Sequence, residues 1–346
     1  MLLVAWAPEL SPEQMLKRRD FLNVVPRLSP REKGYWLHVN ATAMACRFEA
    51  TISAAETGGV RAAQDAFQIA AKIERHLTVF NDESEVSYVN RNAAYRAVAV
   101  TKSLWDLLVE CRTLHRETEG TFDVTSSPLS RCWGFLRRNG RVPSHNEIET
   151  SLELVGIEKL RFDENQRSIA FDRVGVEINF GSIGKGYALD RMGELMRRRT
   201  SSTLLSAGSS SLLAVGAGGF FRNGWLVGIR DPAAFDRRLA ALTLRDCAMS
   251  TSGSEEQFFE HEGKRYGHII DPRTGHPSQG IDSATVIAKS AALTDALATA
   301  FYVGGLELAE RYCDSHSGVM AVLKPTGAQR PLVIGNTDRC DVEILN

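Results

Sequence analysis

Asn179-Phe180-Gly181-Ser182-Ile183-Gly184-Lys185-Gly186-Tyr187-Ala188-Leu189-Asp190 reads as the end of a strand, a tight glycine turn and the start of a helix, with a lysine at the turn. Glycines let a backbone come close to a ligand, the free N–H groups of a helix start suit phosphate, and lysine adds a positive charge. The stretch is not a Walker loop, which would need Gly where Asn179 stands and Ser or Thr where Gly186 stands. Taken alone it fits phosphate binding and a plain helix-entry turn with a solvated lysine equally well.

Outward from it, residues 176–180 read as a short strand and residues 185–198 as a helix. Upstream, residues 36–52 read as strand. Ala63, Phe67, Ala70, Ala71, Ile73 and Leu77 recur at helical spacing over residues 60–77. A helix over residues 103–118 follows the capping-competent Thr101 and stops at Gly120. A hairpin over residues 160–171 turns through Asp163-Glu164-Asn165. Downstream, strands at 225–229, 239–244, 266–270 and 284–288 mix with helices at 291–303 and 306–313. Runs of neighbouring strands interspersed with helices predict an α+β fold rather than a doubly wound parallel sheet.

The 346 residues are 43% hydrophobic and 24% charged, with a formal net charge of -1. That balance argues against capture of nucleic acid or of an anionic membrane as the main activity. No run approaches the roughly 18 apolar residues of a membrane span. The six cysteines, Cys46, Cys111, Cys132, Cys247, Cys313 and Cys340, are scattered without CxxC pairs and signal neither a zinc site nor a disulfide framework. Residues 1–34, punctuated by Pro8, Pro12, Pro26 and Pro30, read as a poorly structured extension, and residues 35–346 as a single two-lobed domain. Lys17-Arg18-Arg19-Asp20-Phe21-Leu22 is like a degenerate twin-arginine motif, but polar residues follow where an apolar run belongs. The expectation is a cytoplasmic protein, with export the alternative.

Three further segments carry chemistry. In Leu293-Thr294-Asp295-Ala296-Leu297-Ala298-Thr299, Asp295 and Thr299 fall on one helical face and offer hard oxygens of the kind Mg²⁺ takes. The plainer reading makes Asp295 a helix cap and Thr299 an internal hydrogen-bond donor. Ser250-Thr251-Ser252-Gly253-Ser254, followed by Gly267-His268-Ile269-Ile270-Asp271-Pro272-Arg273-Thr274-Gly275, offers small hydroxyls for a phosphate or sugar pocket and a histidine as base. By default its second part is a β-turn with a structural histidine. Gly120-Thr121-Phe122-Asp123-Val124-Thr125 presents an aromatic and a carboxylate just past a helix end, where a core strand would explain them as well.

Together with Met44-Ala45-Cys46, residues 84–90, Trp133-Gly134-Phe135 and Asp190, these segments occur in the order found in the ApbE-like FAD:protein FMN transferases. The chain resembles that family from about Tyr35 to Leu323. The resemblance implies a two-lobed α+β fold with FAD in the cleft between lobes and Mg²⁺ on its pyrophosphate. Asp295 and Thr299 would hold the metal with the backbone carbonyl of Ser182. Met44, Phe80, Thr121, Phe122, Asp123, Asn179, Lys185, His268 and Ile269 would line the flavin or its phosphates. The implied reaction is flavinylation, a post-translational modification in which FMN passes from FAD to a Thr or Ser hydroxyl within a short motif of an acceptor redox protein and AMP leaves. Lys185 would stabilise phosphoryl charge and His268 accept the hydroxyl proton. An FAD pyrophosphatase releasing FMN and AMP, and a non-catalytic flavin carrier, are the alternatives.

Three positions depart from the family pattern. Asn179 stands for the usual Asp, and Gly208-Ser209-Ser210-Ser211 for Gly-Gly followed by an acidic or amide residue. Met44-Ala45-Cys46 stands for Met-x-Thr.

Overall fold

The computed structural model describes residues 35–218, 223–253 and 257–345. The expected N-terminal extension, its twin-arginine-like segment and Ser254 lie outside them.

The chain opens with a hairpin, β1 (Trp36–Ala43) and β2 (Cys46–Ser53), then α1 (Gly59–Leu77), α2 (Glu85–Asn92), β3 (Val98–Ala99) and α3 (Lys102–Glu117). Two short helices, α4 (Ser127–Cys132) and α5 (His145–Leu152), precede β4 (Leu160–Asp163), β5 (Ser168–Phe171) and α6 (Gly184–Met196). Then come β6 (Thr203–Ala207), β7 (Ser211–Val215), β8 (Trp225–Asp231), β9 (Ala234–Leu244), β10 (Ala248–Gly253), β11 (Phe258–His261) and β12 (Lys264–Gly267). The chain ends with β13 (Ile281–Ala288), α7 (Ala291–Ser315), β14 (Met320–Pro325), β15 (Leu332–Gly335) and β16 (Cys340–Ile344).

An eight-stranded sheet in the order β1-β2-β6-β7-β10-β13-β14-β15 is the backbone of the molecule, and its strand pairs are antiparallel. Both faces of its inner strands are covered. Leu213, Val215, Ala248, Ala284, Val286, Ala321 and Leu323 meet the helical layer of α1, α6 and α7. Leu212, Ala214, Met249, Ile287, Met320 and Val322 meet the small sheet β16-β9-β8. Because side chains alternate between faces, strands apolar on both read as unbroken hydrophobic runs. The mixed architecture with an antiparallel sheet is the expected α+β class.

The expected helices form, and each has a local cause. Thr101 caps α3 by accepting from the Leu104 N–H. Glu119 (φ 54°) and Gly120 (φ 77°) turn the chain away in left-handed backbone after its end. The expected strand over 36–52 is a hairpin, turned by Met44 and Ala45. The expected strand over 266–270 is instead β12, with Ile270 in an isolated bridge to Pro277. The expected helices 291–303 and 306–313 form as the two segments of α7, separated by a kink at Gly305, whose backbone is non-helical (φ 72°, ψ -162°).

Residues 176–180 correct the sequence reading. They form no strand. The Asn90 amide takes the place of one, accepting from the Ile178 N–H (2.8 Å) and donating to the Ile178 carbonyl (3.0 Å). A side chain thus satisfies the backbone of a segment whose apolar residues Val176, Ile178 and Phe180 are buried.

Candidate active site

The glycine turn enters α6 where that helix crosses the start of α7. A Cβ on Gly186 would collide with the Ala291 carbonyl, so only glycine permits the approach. The Gly186 N–H would return to the Ser182 carbonyl in an uninterrupted helix, but it donates to Asp295 Oδ2 (3.0 Å). Ser211 Oγ–H donates to Asp295 Oδ1 (2.9 Å). In return Asp190 on α6 accepts from the first backbone N–H groups of α7, Ala291 (2.8 Å) and Ala292 (2.9 Å), and from Ser290 Oγ (2.7 Å). Each helix start is capped by a carboxylate from the other.

The serine turn between β6 and β7 holds both charged groups. Lys185 Nζ donates to Ser210 Oγ (2.9 Å), and the next residue, Ser211, holds Asp295, which is only 7% exposed. Thr299 Oγ1 lies 3.3 Å from the Asp295 carbonyl and 3.3 Å from Ser252 Oγ, one turn along α7. Among the described residues no protein donor reaches the Ser182 carbonyl. None of their His, Cys, Asp and Glu side chains gather in threes as a metal cage. A cation here would therefore rest on one carboxylate, one hydroxyl and one carbonyl, with substrate phosphate and water completing its shell. Mg²⁺ takes that pattern, so the residues fit it.

A second cluster stands beside this one. Thr121 Oγ1 donates to the Thr118 carbonyl (2.8 Å), and the Phe122 ring is 1% exposed in the core. Asp123 Oδ1 accepts from Thr125 N–H (2.7 Å) and Oγ1 (2.5 Å), while its Oδ2 lies 3.1 Å from His115 Nδ1. These side chains are committed to the fold, so a ligand would meet them through their backbone. The Asn179 N–H donates to the Val124 carbonyl (2.8 Å) and joins this loop to the glycine turn. Asn179 Oδ1 accepts from the Gly181 N–H (2.8 Å), a bond that an aspartate would make equally.

Met44 and Ala45 turn the β1–β2 hairpin with left-handed backbone (φ 50° and 56°). Such two-residue turns favour Asn-Gly, and other residues there carry strain of the kind found at functional sites. The hairpin end abuts the serine turn, for the Gly208 N–H donates to the Arg47 carbonyl (2.8 Å). Phe80, in the loop after α1, is 80% exposed, an unusual position for a large aromatic and one open to stacking.

His268 follows β12. Its Nδ1 and its backbone N–H both lie 3.1 Å from the Gln257 carbonyl, and Gln257 is itself anchored through Nε2 to the Phe135 carbonyl (2.8 Å). A carbonyl only accepts, so this bond places the proton on Nδ1 and the lone pair on Nε2. The neighbouring Ile269 is half-buried, packs against the main core and accepts from the Ser278 N–H (2.9 Å). Asp271 to Gly275 is the expected turn: Thr274 and Gly275 N–H return to the Asp271 carbonyl, and Trp133 Nε1 donates to that of Gly275 (2.8 Å).

The structure therefore joins Lys185 and Asp295 to the glycine turn that contains Ser182 and to the serine turn between β6 and β7, places Thr299 one turn along α7 beside Ser252, and sets the Met44 hairpin against the serine turn. Sequence reasoning missed the holding roles of Ser210, Ser211, Asp190, Asn90 and His115. Serines in a glycine-rich turn carry no pattern that marks them, and Asp190 was visible only as a motif letter.

The chain matches the ApbE family over residues 44–323. It is 29% identical over 243 residues to the FAD:protein FMN transferase of Klebsiella pneumoniae (strain 342), covering 70% of this chain and 75% of the relative. It is 30% identical over 243 residues to the enzyme of that name from Vibrio cholerae (serotype O1), covering 68% and 71%. The crystal structure of the ApbE protein from Thermotoga maritima superposes with a TM-score of 0.78 at 26% identity, over 88% of this chain and 97% of that one. The apo flavinyl transferase ApbE of Pseudomonas stutzeri gives 0.73 at 25% identity, over 88% and 96%. The matched span runs from the strained hairpin through both capped helices to β14, and on that ground the chain belongs to the ApbE family.

Proposed function

We propose that this protein is a Mg²⁺-dependent FAD:protein FMN transferase, which moves FMN from FAD to a Thr or Ser hydroxyl of an acceptor redox protein. The observation that carries the reading is the convergence of Lys185 and Asp295 on neighbouring serines of one turn, within a chain whose relatives bear that name.

Lys185 supplies positive charge to the diphosphate, and the glycine turn lets the backbone approach it. The backbone of residues 121–123, Asn179, Ile269 and the exposed faces of Phe80 and Met44 contribute to holding the flavin half. His268 Nε2, with the tautomer set by Gln257, takes the proton of the acceptor hydroxyl, whose oxygen bonds to the FMN-side phosphorus. The bond from that phosphorus to the AMP oxygen breaks, and AMP leaves. A divalent cation on Asp295, Thr299 and the Ser182 carbonyl supplies neutralisation of charge on the phosphoryl oxygens when bound. The six scattered cysteines, all thiols, support a cytoplasmic location, with export the alternative.

The test incubates the protein with FAD and Mg²⁺, with and without a threonine-containing acceptor, and follows AMP together with covalent flavin by mass spectrometry. AMP matched by an FMN adduct, both lost in Asp295→Ala, is the expected result. AMP with free FMN alone would mean a pyrophosphatase, and bound FAD with no AMP a carrier.

A further inference from the structure

Asp190 and Asp295 occupy matching places on their helices. Gly186 precedes Asp190 by one turn and Ala291 precedes Asp295 by one turn, and each carboxylate accepts the N–H at the head of the opposite helix. The contact between the two heads is closed, since the Ala291 carbonyl occupies the space of a Gly186 side chain. α7 therefore cannot slide along α6 to find another register. What fixes its tilt at this crossing is Asp190, whose two oxygens take three donors from Ser290, Ala291 and Ala292. Ser290 adds its own cap, accepting from the Leu293 N–H (3.2 Å). A carboxylate at this helix end is also favoured by the helix dipole.

We propose that Asp190 is a positioning residue for cation binding: by fixing the first turn of α7 against α6 it sets where Asp295 and Thr299 stand, without itself touching cation or FAD. This rests on the reading that Asp295 and Thr299 hold the cation. Asp190→Asn keeps the shape but replaces one acceptor oxygen with an N–H donor aimed at other donors, so α7 must tilt or leave an N–H unpaired. Residues that orient metal ligands typically cost about 10–100-fold in metal affinity when changed.

The experiment titrates the full-length protein with Mn²⁺ at saturating FAD and reads free Mn²⁺ by electron paramagnetic resonance. Thermal unfolding and cation-free FAD binding by flavin fluorescence are measured in parallel. Asp190→Asn is expected to bind Mn²⁺ about 10–100-fold more weakly while cation-free FAD affinity is unchanged. Ser290→Ala, which removes one of the three donors, is expected to lose about threefold, the size of one modest hydrogen bond. Normal Mn²⁺ affinity in both variants, even with a lowered unfolding temperature, overturns the proposal. Should Asp190→Asn fail to fold, Ser290→Ala decides by the same criterion. Asp295→Ala separates the two layers of the argument, because normal Mn²⁺ binding in that variant would remove the cation-site reading itself.

Discussion

His115 ends α3 with its Nδ1 3.1 Å from both the Phe122 carbonyl and Asp123 Oδ2. Burial disfavours its charged form, but the hydrogen bond and charge of Asp123, the Phe122 carbonyl and the more distant Glu158 together outweigh it, and the pKa is raised above its ordinary value. A folded value above the unfolded one means that the pair's stabilisation is fully present below pH about 6.5 and is lost as pH rises through the folded value. His115→Gln should therefore cost about 1–2 kcal/mol at pH 5.5 and distinctly less at pH 9, read by urea unfolding at both. An equal loss at the two pH values would show that the ring acts by packing alone. The same scale limits what the sequence reveals. Lys185, Asp295 and Thr299 stand out through the order of motifs that resembles the ApbE-like transferases, since their spacing alone fits a solvated lysine and a helix cap as well, whereas the serines that hold them look like any turn. The Asn179 departure is mild in structure because the amide oxygen still accepts from Gly181.

Helices α1, α3 and α6 are legible in the sequence, since each has one apolar face on the sheet or core and a polar face outward. Strands β6, β7, β10 and β14 are not, because they are covered on both sides and lose the alternation that marks a half-exposed strand. Residues 176–180 fail in the opposite sense: they alternate like a strand, but their partner is the side chain of Asn90, 88 positions away. Asn90→Ala should leave the Ile178 N–H and carbonyl unpaired and cost about 2–4 kcal/mol, on the scale of two buried polar groups losing partners. Chemical denaturation would measure it, and a cost below about 0.5 kcal/mol would mean that water replaces the amide. At the α6–α7 crossing, Gly186→Ala meets backbone rather than a yielding side chain. The expected cost is about 3 kcal/mol or more, at or beyond the upper end of ordinary overpacking. A soluble Gly186→Ala protein with unaltered stability would show that the helices part without penalty.

Across the whole molecule the large sheet separates two tasks. Its helical face carries α6, α7 and the candidate site, while its other face is sealed by β16-β9-β8 around Leu242, Leu244, Trp225 and Ile287. Leu242 is fully buried there and reaches the site only through the thickness of the sheet. Leu242→Ala removes core volume in a well-packed layer and should cost about 2–5 kcal/mol. Changes without shared partners are nearly independent. At a temperature where the variant stays folded, FAD affinity and Mn²⁺ affinity should therefore match those of the unaltered protein. Thermal unfolding with binding at 15 °C tests both halves. A lowered unfolding temperature with unchanged binding supports a site held by the α6–α7 crossing and the serine turn alone. Binding that weakens in step with stability would instead make the far layer part of what positions Asp295 and Lys185.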